Sequence, residues 1–222
     1  GVMARSDIDI IATAIPDHWH SIPAIMALAA GKDIHGQKPL ARTIREGRAI
    51  CDAVKRYGRI WQTGSWQRSK DNFRQASELV INGRIGKVSR VEVGLPTGGT
   101  RGNESIKPVP EGVDWEMWLG PAPWVPFRGI LHWDWRWIMD YSGGQLTDWA
   151  GHHIDIAHWG LGLDRTGPVE VEGHGNIPKD GIFNVPTTYK VTTKYANGLD
   201  MTIANDQQLP HGMGVCWYGD KG

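Results

Sequence analysis

The sequence predicts an α/β protein: a parallel sheet built from strand–helix units comes first, followed by an α+β portion with a mostly antiparallel, open sheet. Three observations predict it. The first third alternates short apolar runs with segments of helical period. The remainder reads as two-residue-period strands around one long helix. The 222-residue chain is 40% hydrophobic and 22% charged, inside the globular range.

The elements follow in order. Ile8 to Ala12 is a short continuous apolar run, the mark of a strand buried on both faces. Asp17 to Ala30 reads as a helix that Asp17 can cap and Gly31 ends. Pro23 lies inside that pattern and moves the start toward Ser21, with the proline in the first turn. Asp33 to Gln37 is a second strand, closed by Lys38-Pro39. Thr43 to Tyr57 is a second helix, with Thr43 and Glu46 in capping-box register and Gly58 at its end. Arg59 to Ser65 is a third strand. Right-handed crossovers make these strands parallel. Ligands of such sheets bind beyond the carboxyl ends of the strands, here Thr13–His20, Gln37–Pro39 and Gly64–Arg68.

A change of pattern near residue 67 divides the chain into residues 1–67 and 68–222. Asn72 to Asn82 reads as a helix ended by Gly83, and Lys87 to Leu95 as a strand with one face exposed. Residues 96–113 are rich in Gly, Pro and polar groups. Asp114 to Pro123 is a short capped helix, and His132 to Trp137 alternates aromatic and polar residues. Gln145 to Leu161 is a helix behind a glycine entry. Strands follow at Val169–Gly173, Thr187–Tyr195 and Leu199–Asn205, the last two joined at Asn197-Gly198, a strong hairpin signal.

Composition excludes several classes. Lys+Arg 24 and Asp+Glu 24 cancel, which argues against a phosphate-gripping nucleic-acid binder and a polybasic membrane surface. The longest apolar stretch, Ile22–Ala30, is too short to span a bilayer. Cys51 and Cys216 form neither a disulfide framework nor a four-cysteine zinc site. Twelve Trp are many for this length and serve either as core filler or as flat apolar surface for stacking a sugar ring. Strand-like runs adjoin both termini, so we expect an internal piece of a longer protein, whose localisation is not legible.

The helix from Gln145 carries the sharpest chemical signal. Asp148, His152, Asp155 and Trp159 fall on one narrow stripe. Burying charges there without a partner is costly, so the stripe either lines a cavity or forms a solvated face. A His one turn from an Asp is a workable acid/base pair, the carboxylate fixing the tautomer and raising imidazole basicity. His153 and His158 point elsewhere. The stripe can also be read as a metal site with Asp148, His152 and Asp155 as ligands, although a further ligand is needed. Lys38, at a strand's carboxyl end, can reach into the crevice and hydrogen-bond a substrate hydroxyl. Thr13, Pro16, Asp17 and His20 precede a helix N-terminus, a place suited to anions. There is no GxGxxG anywhere, so nucleotide binding does not follow from spacing.

Together these pieces resemble the glucose–fructose oxidoreductase / inositol dehydrogenase (Gfo/Idh/MocA) family, and its bacterial sugar-active branch in particular. The matching strings are DIDIIATAIPDHWHSIPAIMALAAGKDIHGQKPLA, WQTGSWQRS, LVINGRIGKVSRVEV, SGGQLTDWAGHHIDIAHWGLG and GVCWYGDKG, in the family's order over almost the whole chain. The resemblance implies the later part of an NAD(P)-binding Rossmann domain, with its first βαβ unit and glycine-rich loop missing. A substrate and oligomerisation domain would follow, its end missing too. It implies catalytic roles for Lys38, Asp148 and His152. His152 would act as acid/base on the reacting hydroxyl, with Lys38 assisting. Contacts to NAD or NADP would come from Thr13, Pro16, Asp17, His20, Gln37, Lys38 and Trp66. Contacts to a sugar or cyclitol would come from Arg68, Trp135, Arg136 and Asp155. The antiparallel sheet would mediate a homo-oligomer. Two positions depart from the pattern: Gln37 stands where Glu is usual, and Trp66 occupies an often polar segment. The implied activity is hydride transfer between a hydroxyl-bearing carbon and nicotinamide. The alternatives are redox-neutral, NAD-dependent glycoside cleavage on the same scaffold, a non-catalytic sugar-binding or assembly module, and a metal-dependent hydrolase built on the stripe.

Overall fold

A computed structural model describes all residues, 1–222. In chain order its elements are β1 (Ile10–Thr13), α1 (Ser21–Ala29), β2 (Asp33–Gln37), α2 (Ile44–Tyr57), β3 (Trp61–Gly64), α3 (Asp71–Ile81), β4 (Val88–Leu95) and α4 (Trp115–Leu119). Then come α5 (Gly144–Leu161), β5 (Glu170–Asn176), β6 (Thr188–Lys194), β7 (Asp200–Asn205) and β8 (Gly214–Gly219). No helix is long and apolar enough to cross a membrane. The chain divides into two compact units, residues 1–64 with 102–143, and residues 65–101 with 144–222. The sequence reading draws its boundary near residue 67; in the fold, residues 102–143 pack with residues 1–64.

In the first unit β1, β2 and β3 form a parallel sheet in that order. Ile11, Ile34 and Trp61 point to one face and pack under α1 and α2 against Ala24, Ala27, Leu28, Ile50 and Ala53. The expectation that the first strand is buried on both faces is corrected. Within these residues Ile10, on the face opposite α1 and α2, is 62% exposed. Asp17 is not the cap of α1 either. It opens a one-turn 3-10 helix over Asp17–Trp19, and α1 starts at Ser21 with Pro23 in its first turn. The capping box of α2 forms as read, the Thr43 Oγ1 accepting from the Glu46 N–H and the Glu46 carboxylate from the Thr43 N–H. Gly58 ends that helix at φ +59°, a left-handed position glycine adopts without Cβ strain.

Segment 102–143 is held to this unit by aromatic packing. Trp115 and Trp118 stack at 4.9 Å, and Tyr141 and His18 crowd Trp118 at 5.0 and 5.2 Å. The His18 N–H donates to the Tyr141 carbonyl, and Arg42 Nη1 to the Met139 carbonyl at 3.0 Å. Asp114 caps α4 by accepting from the Met117 N–H. Trp115 and Trp135 are buried, so part of the tryptophan excess is core filler.

The second unit is a five-stranded sheet in the order β5-β6-β7-β4-β8, antiparallel except for the β4–β7 pair. α5 packs on one face, where Val91, Val93, Leu95, Met201, Ile203 and Ala157 form the core; α3 runs beside α5. β4 reads as a strand with one face exposed, but residues 91–95 are all buried: on the outer face the Gly212 backbone covers Gly94 and the Tyr218 hydroxyl donates to Glu92. Strand alternation puts Arg90, Glu92, Lys190, Lys194, Asp200 and Tyr218 on the other face. There Lys194 pairs with Glu170 at 2.9 Å and Arg90 with Glu92 at 2.7 Å. β5 is exposed along its whole length.

Candidate active site

Gly144 sets the direction of α5. Its φ is +70°, and a Cβ there would stand 2.5 Å from Val185 Cγ2. Glycine answers both constraints, so the glycine entry read in the sequence has a steric cause. Beyond it, α5 presents Leu146, Ala150, Ile154, Ala157 and Leu161 to the sheet.

Its three central histidines have distinct surroundings. His153 Nδ1 lies 2.9 Å from the Gly94 carbonyl, and His158 Nε2 lies 2.7 Å from the Tyr195 hydroxyl. Burial pushes both below the usual imidazole range, only partly opposed for His153 by its carbonyl contact and for His158 by Asp155. They are structural, turned toward the sheet. His152 is buried on the stripe between two indoles, Trp66 at 5.8 Å and Trp149 at 5.7 Å, both edge-on. Asp148 lies one turn before it, partly exposed.

Lower on the stripe Asp155 is heavily engaged. It accepts from the Ser65 hydroxyl at 2.8 Å and from Arg68 Nε and Nη2 at 2.7 and 2.9 Å. Arg68 also reaches Asp164 at 2.6 Å, and its guanidinium lies 5.2 Å over the Trp159 ring. The hydrogen bonding of Arg68 to Asp155 is the main cause that raises Arg68 above its ordinary value. The network fastens the one-turn helix Trp66–Ser69 to α5, and so sets Trp66 beside His152. Ser65, Trp149 and Asp164 escape sequence reading. Ser65 lies 90 positions from Asp155, a separation no local pattern encodes.

The structure therefore brings together, in the second unit, Trp66, Arg68, His152 and Asp155, with Asp148 on the same helix. Thr13, Pro16, Asp17, His20, Gln37 and Lys38 gather in the first unit at the carboxyl edge of the parallel sheet. Thr13 pairs with Gly36 and Gln37 with Gly64. The Gln37 carboxamide lies over Gly64, where a Cβ would stand 2.7 Å from its Nε2. Lys38 follows directly, joined to Pro39 by a cis peptide bond. Asp17 is buried and accepts from the Ser142 hydroxyl at 2.5 Å. Trp135 and Arg136 also lie in this unit. The guanidinium is sandwiched between the Trp133 ring at 4.1 Å and the Trp135 ring at 4.4 Å. Trp135 is buried, whereas Trp133 is 66% exposed and offers the open face. No three His, Cys, Asp or Glu side chains are grouped so as to hold a metal ion. The three-ligand reading of the stripe lacks that geometry, since Asp155 is turned to Arg68 and Ser65.

Two family models match the chain. Residues 2–65 match the model described as oxidoreductase family, NAD-binding Rossmann fold, and residues 70–212 match the oxidoreductase family, C-terminal alpha/beta domain. The chain is 37% identical over 157 residues to levoglucosan dehydrogenase of Pseudarthrobacter phenanthrenivorans, covering 70% of this chain and 34% of that protein. It is 27% identical over 176 residues to scyllo-inositol 2-dehydrogenase (NAD(+)) of Bacillus subtilis, covering 79% and 41%. It is 29% identical over 234 residues to D-glucoside 3-dehydrogenase of Escherichia coli, covering 96% and 57%. The chain thus spans between a third and three fifths of the length of these relatives. Among solved structures, an oxidoreductase domain protein from Kribbella flavida superposes with a TM-score of 0.73 at 22% identity, over all of this chain and 55% of that one. A levoglucosan dehydrogenase in complex with NADH and L-sorbose gives 0.71 at 21%, over 99% and 54%. The order of strands, the polar stripe of α5 and both domain matches lead to one conclusion: the chain belongs to the Gfo/Idh/MocA oxidoreductase family.

Proposed function

We propose that the whole protein carrying this chain is an NAD(P)-dependent dehydrogenase of a sugar or cyclitol. The observation that carries this reading is His152. Of the three central histidines of α5 it is the one on the polar stripe, and two indoles wall its ring. The residues at the carboxyl edge of the parallel sheet fit the nicotinamide half of a dinucleotide. Thr13, Gln37 and Lys38 offer hydroxyl, carboxamide and ammonium groups there, and the missing Cβ of Gly64 is what admits the Gln37 carboxamide. No glycine-rich loop for the pyrophosphate occurs in these residues. The bound cofactor supplies the hydride acceptor, its nicotinamide ring.

His152 accepts the proton of the reacting hydroxyl as general base. Asp148, one helical turn earlier, orients the imidazole and favours its protonated form. Trp66 and Trp149 keep water from the flanks of the ring, which strengthens its electrostatic interactions. To Lys38 we assign the hydrogen bond to the reacting oxygen. Thr13, Pro16, Asp17, Gln37 and Trp66 are assigned to the cofactor side, which His20 shapes through the Ile15 and Pro39 carbonyls. Arg68, Arg136, Trp135 and Asp155 are assigned to the sugar side, with Trp133 as the more open stacking ring. The relatives named above are dehydrogenases, which favours net hydride transfer over redox-neutral cleavage. Rows of opposite charges across the sheet face and the wholly exposed β5 support association with a second copy through that sheet.

The test is NAD(P)H formation by the whole protein with a panel of pyranoses and inositols. His152→Ala should lower turnover by about 10²–10⁴-fold, the usual worth of a general base, with cofactor still bound. Turnover equal to wild type would remove His152 from the reaction.

A further inference from the structure

Two turns frame the carboxyl edge of the parallel sheet, residues 14–20 after β1 and residues 38–40 after β2. The ladder between β1 and β2 ends at Thr13 and Gly36. Beyond it the His20 ring joins the turns. His20 is 5% exposed. Its Nδ1 lies 2.7 Å from the Pro39 carbonyl oxygen and its Nε2 lies 2.8 Å from the Ile15 carbonyl oxygen. Both oxygens only accept, so a ring that closes both contacts carries an N–H on each nitrogen. The ring's own origin is firm, because the His20 N–H donates to the Asp17 carbonyl and α1 begins at the next residue.

Lys38 is thereby held from both sides. The residue before it, Gln37, is paired with Gly64 in the sheet. The residue after it, Pro39, has its carbonyl taken by His20. We propose that His20 is a positioning residue: a two-point tie between the turn after β1 and the Lys38–Pro39 turn that fixes the direction of the Lys38 side chain. The inference rests on the assignment of Lys38 to the reacting oxygen.

A double-mutant cycle on the whole protein tests it. His20→Phe keeps a ring of similar size and removes both N–H donors; Lys38→Ala removes the group to be aimed. His20→Phe alone should lower kcat by about 10–100-fold, the scale of a 1 Å misplacement, with a much smaller change in the KM of the cofactor. In the Lys38→Ala background the same substitution should cost no more than about twofold, because the two act as one unit. Full, independent losses would overturn the proposal, as would a fall in the thermal midpoint that accounts for the whole effect. If His20→Phe does not fold, ¹⁵N spectra of the wild-type ring decide. Protons on both nitrogens at assay pH support the tie, and one bare nitrogen overturns it. A Lys38→Ala protein of undiminished turnover would instead overturn the assignment of Lys38, and with it the aiming role, while the spectra still decide whether the tie exists.

Discussion

Asp155 offers the most direct quantitative check on how the α5 stripe is built. Asp155→Ala removes an acceptor that takes three hydrogen bonds, from Ser65 at 2.8 Å and from Arg68 at 2.7 and 2.9 Å. The side chains of Arg68 and Asp155 are 33% and 29% exposed, so the pair lies between two limits. A fully exposed pair is worth roughly 0–1 kcal/mol, and breaking a fully buried one costs about 3–5 kcal/mol. A loss of about 2 kcal/mol follows, or roughly 4–8 °C in Tm for a chain of this size. Asp164→Ala removes one contact at 2.6 Å from a side chain that is 46% exposed and should cost about 0.5 kcal/mol. Urea melts of Asp155→Ala, Arg68→Ala and the double variant should return a coupling of about 1–2 kcal/mol. Equal losses for the two aspartates, or zero coupling between Asp155 and Arg68, would refute the idea that this network fastens the Trp66 turn to α5.

Three further outcomes are expected. His153 and His158 are held below the usual imidazole range by burial. On acidification the unfolded chain binds protons first, so stability is complete above about pH 6.5 and falls as pH drops toward the folded-state values; urea midpoints at pH 7 and pH 5 measure the fall, and His153→Gln should flatten it. Gly144→Ala meets both a left-handed φ and Val185; strain and overpacking together should cost about 2–4 kcal/mol, read as a lowered Tm. If the charged sheet face joins two copies, raising salt from 0.05 to about 0.5 M should weaken the dimer in sedimentation runs, since screening shortens the reach of surface charges; a salt-independent mass would argue for an apolar interface elsewhere.

Much of this was legible because local rules and tertiary needs agree. The Thr43/Glu46 box, the Asp114 cap, the Asn197-Gly198 hairpin and the switch from parallel to antiparallel strands each rest on a few adjacent residues, and each forms. The separation of His152 from His153 and His158 also follows from helical spacing alone. What stayed hidden depends on partners far away in sequence. β1 reads as doubly buried because its side chains are apolar on both faces, yet whether a face is covered is decided by neighbouring layers. Asp17 reads as a cap because of its type and place, yet Ser142, 125 positions on, takes its carboxylate. That Arg68 and Asp155, two candidate sugar contacts, also bond one another is set across 87 positions of sequence.

Segment 102–143 gives the polypeptide an unusual itinerary: it departs at 64, comes back at 102, and departs again at 143. A scissor cut at residue 67 would strand Trp118 and Tyr141 without His18, leaving a sticky aromatic surface in water. Separate expression of either half should therefore yield aggregates, whereas a graft that carries residues 102–143 back onto residues 1–64 through a short linker has the better prospect of a soluble module.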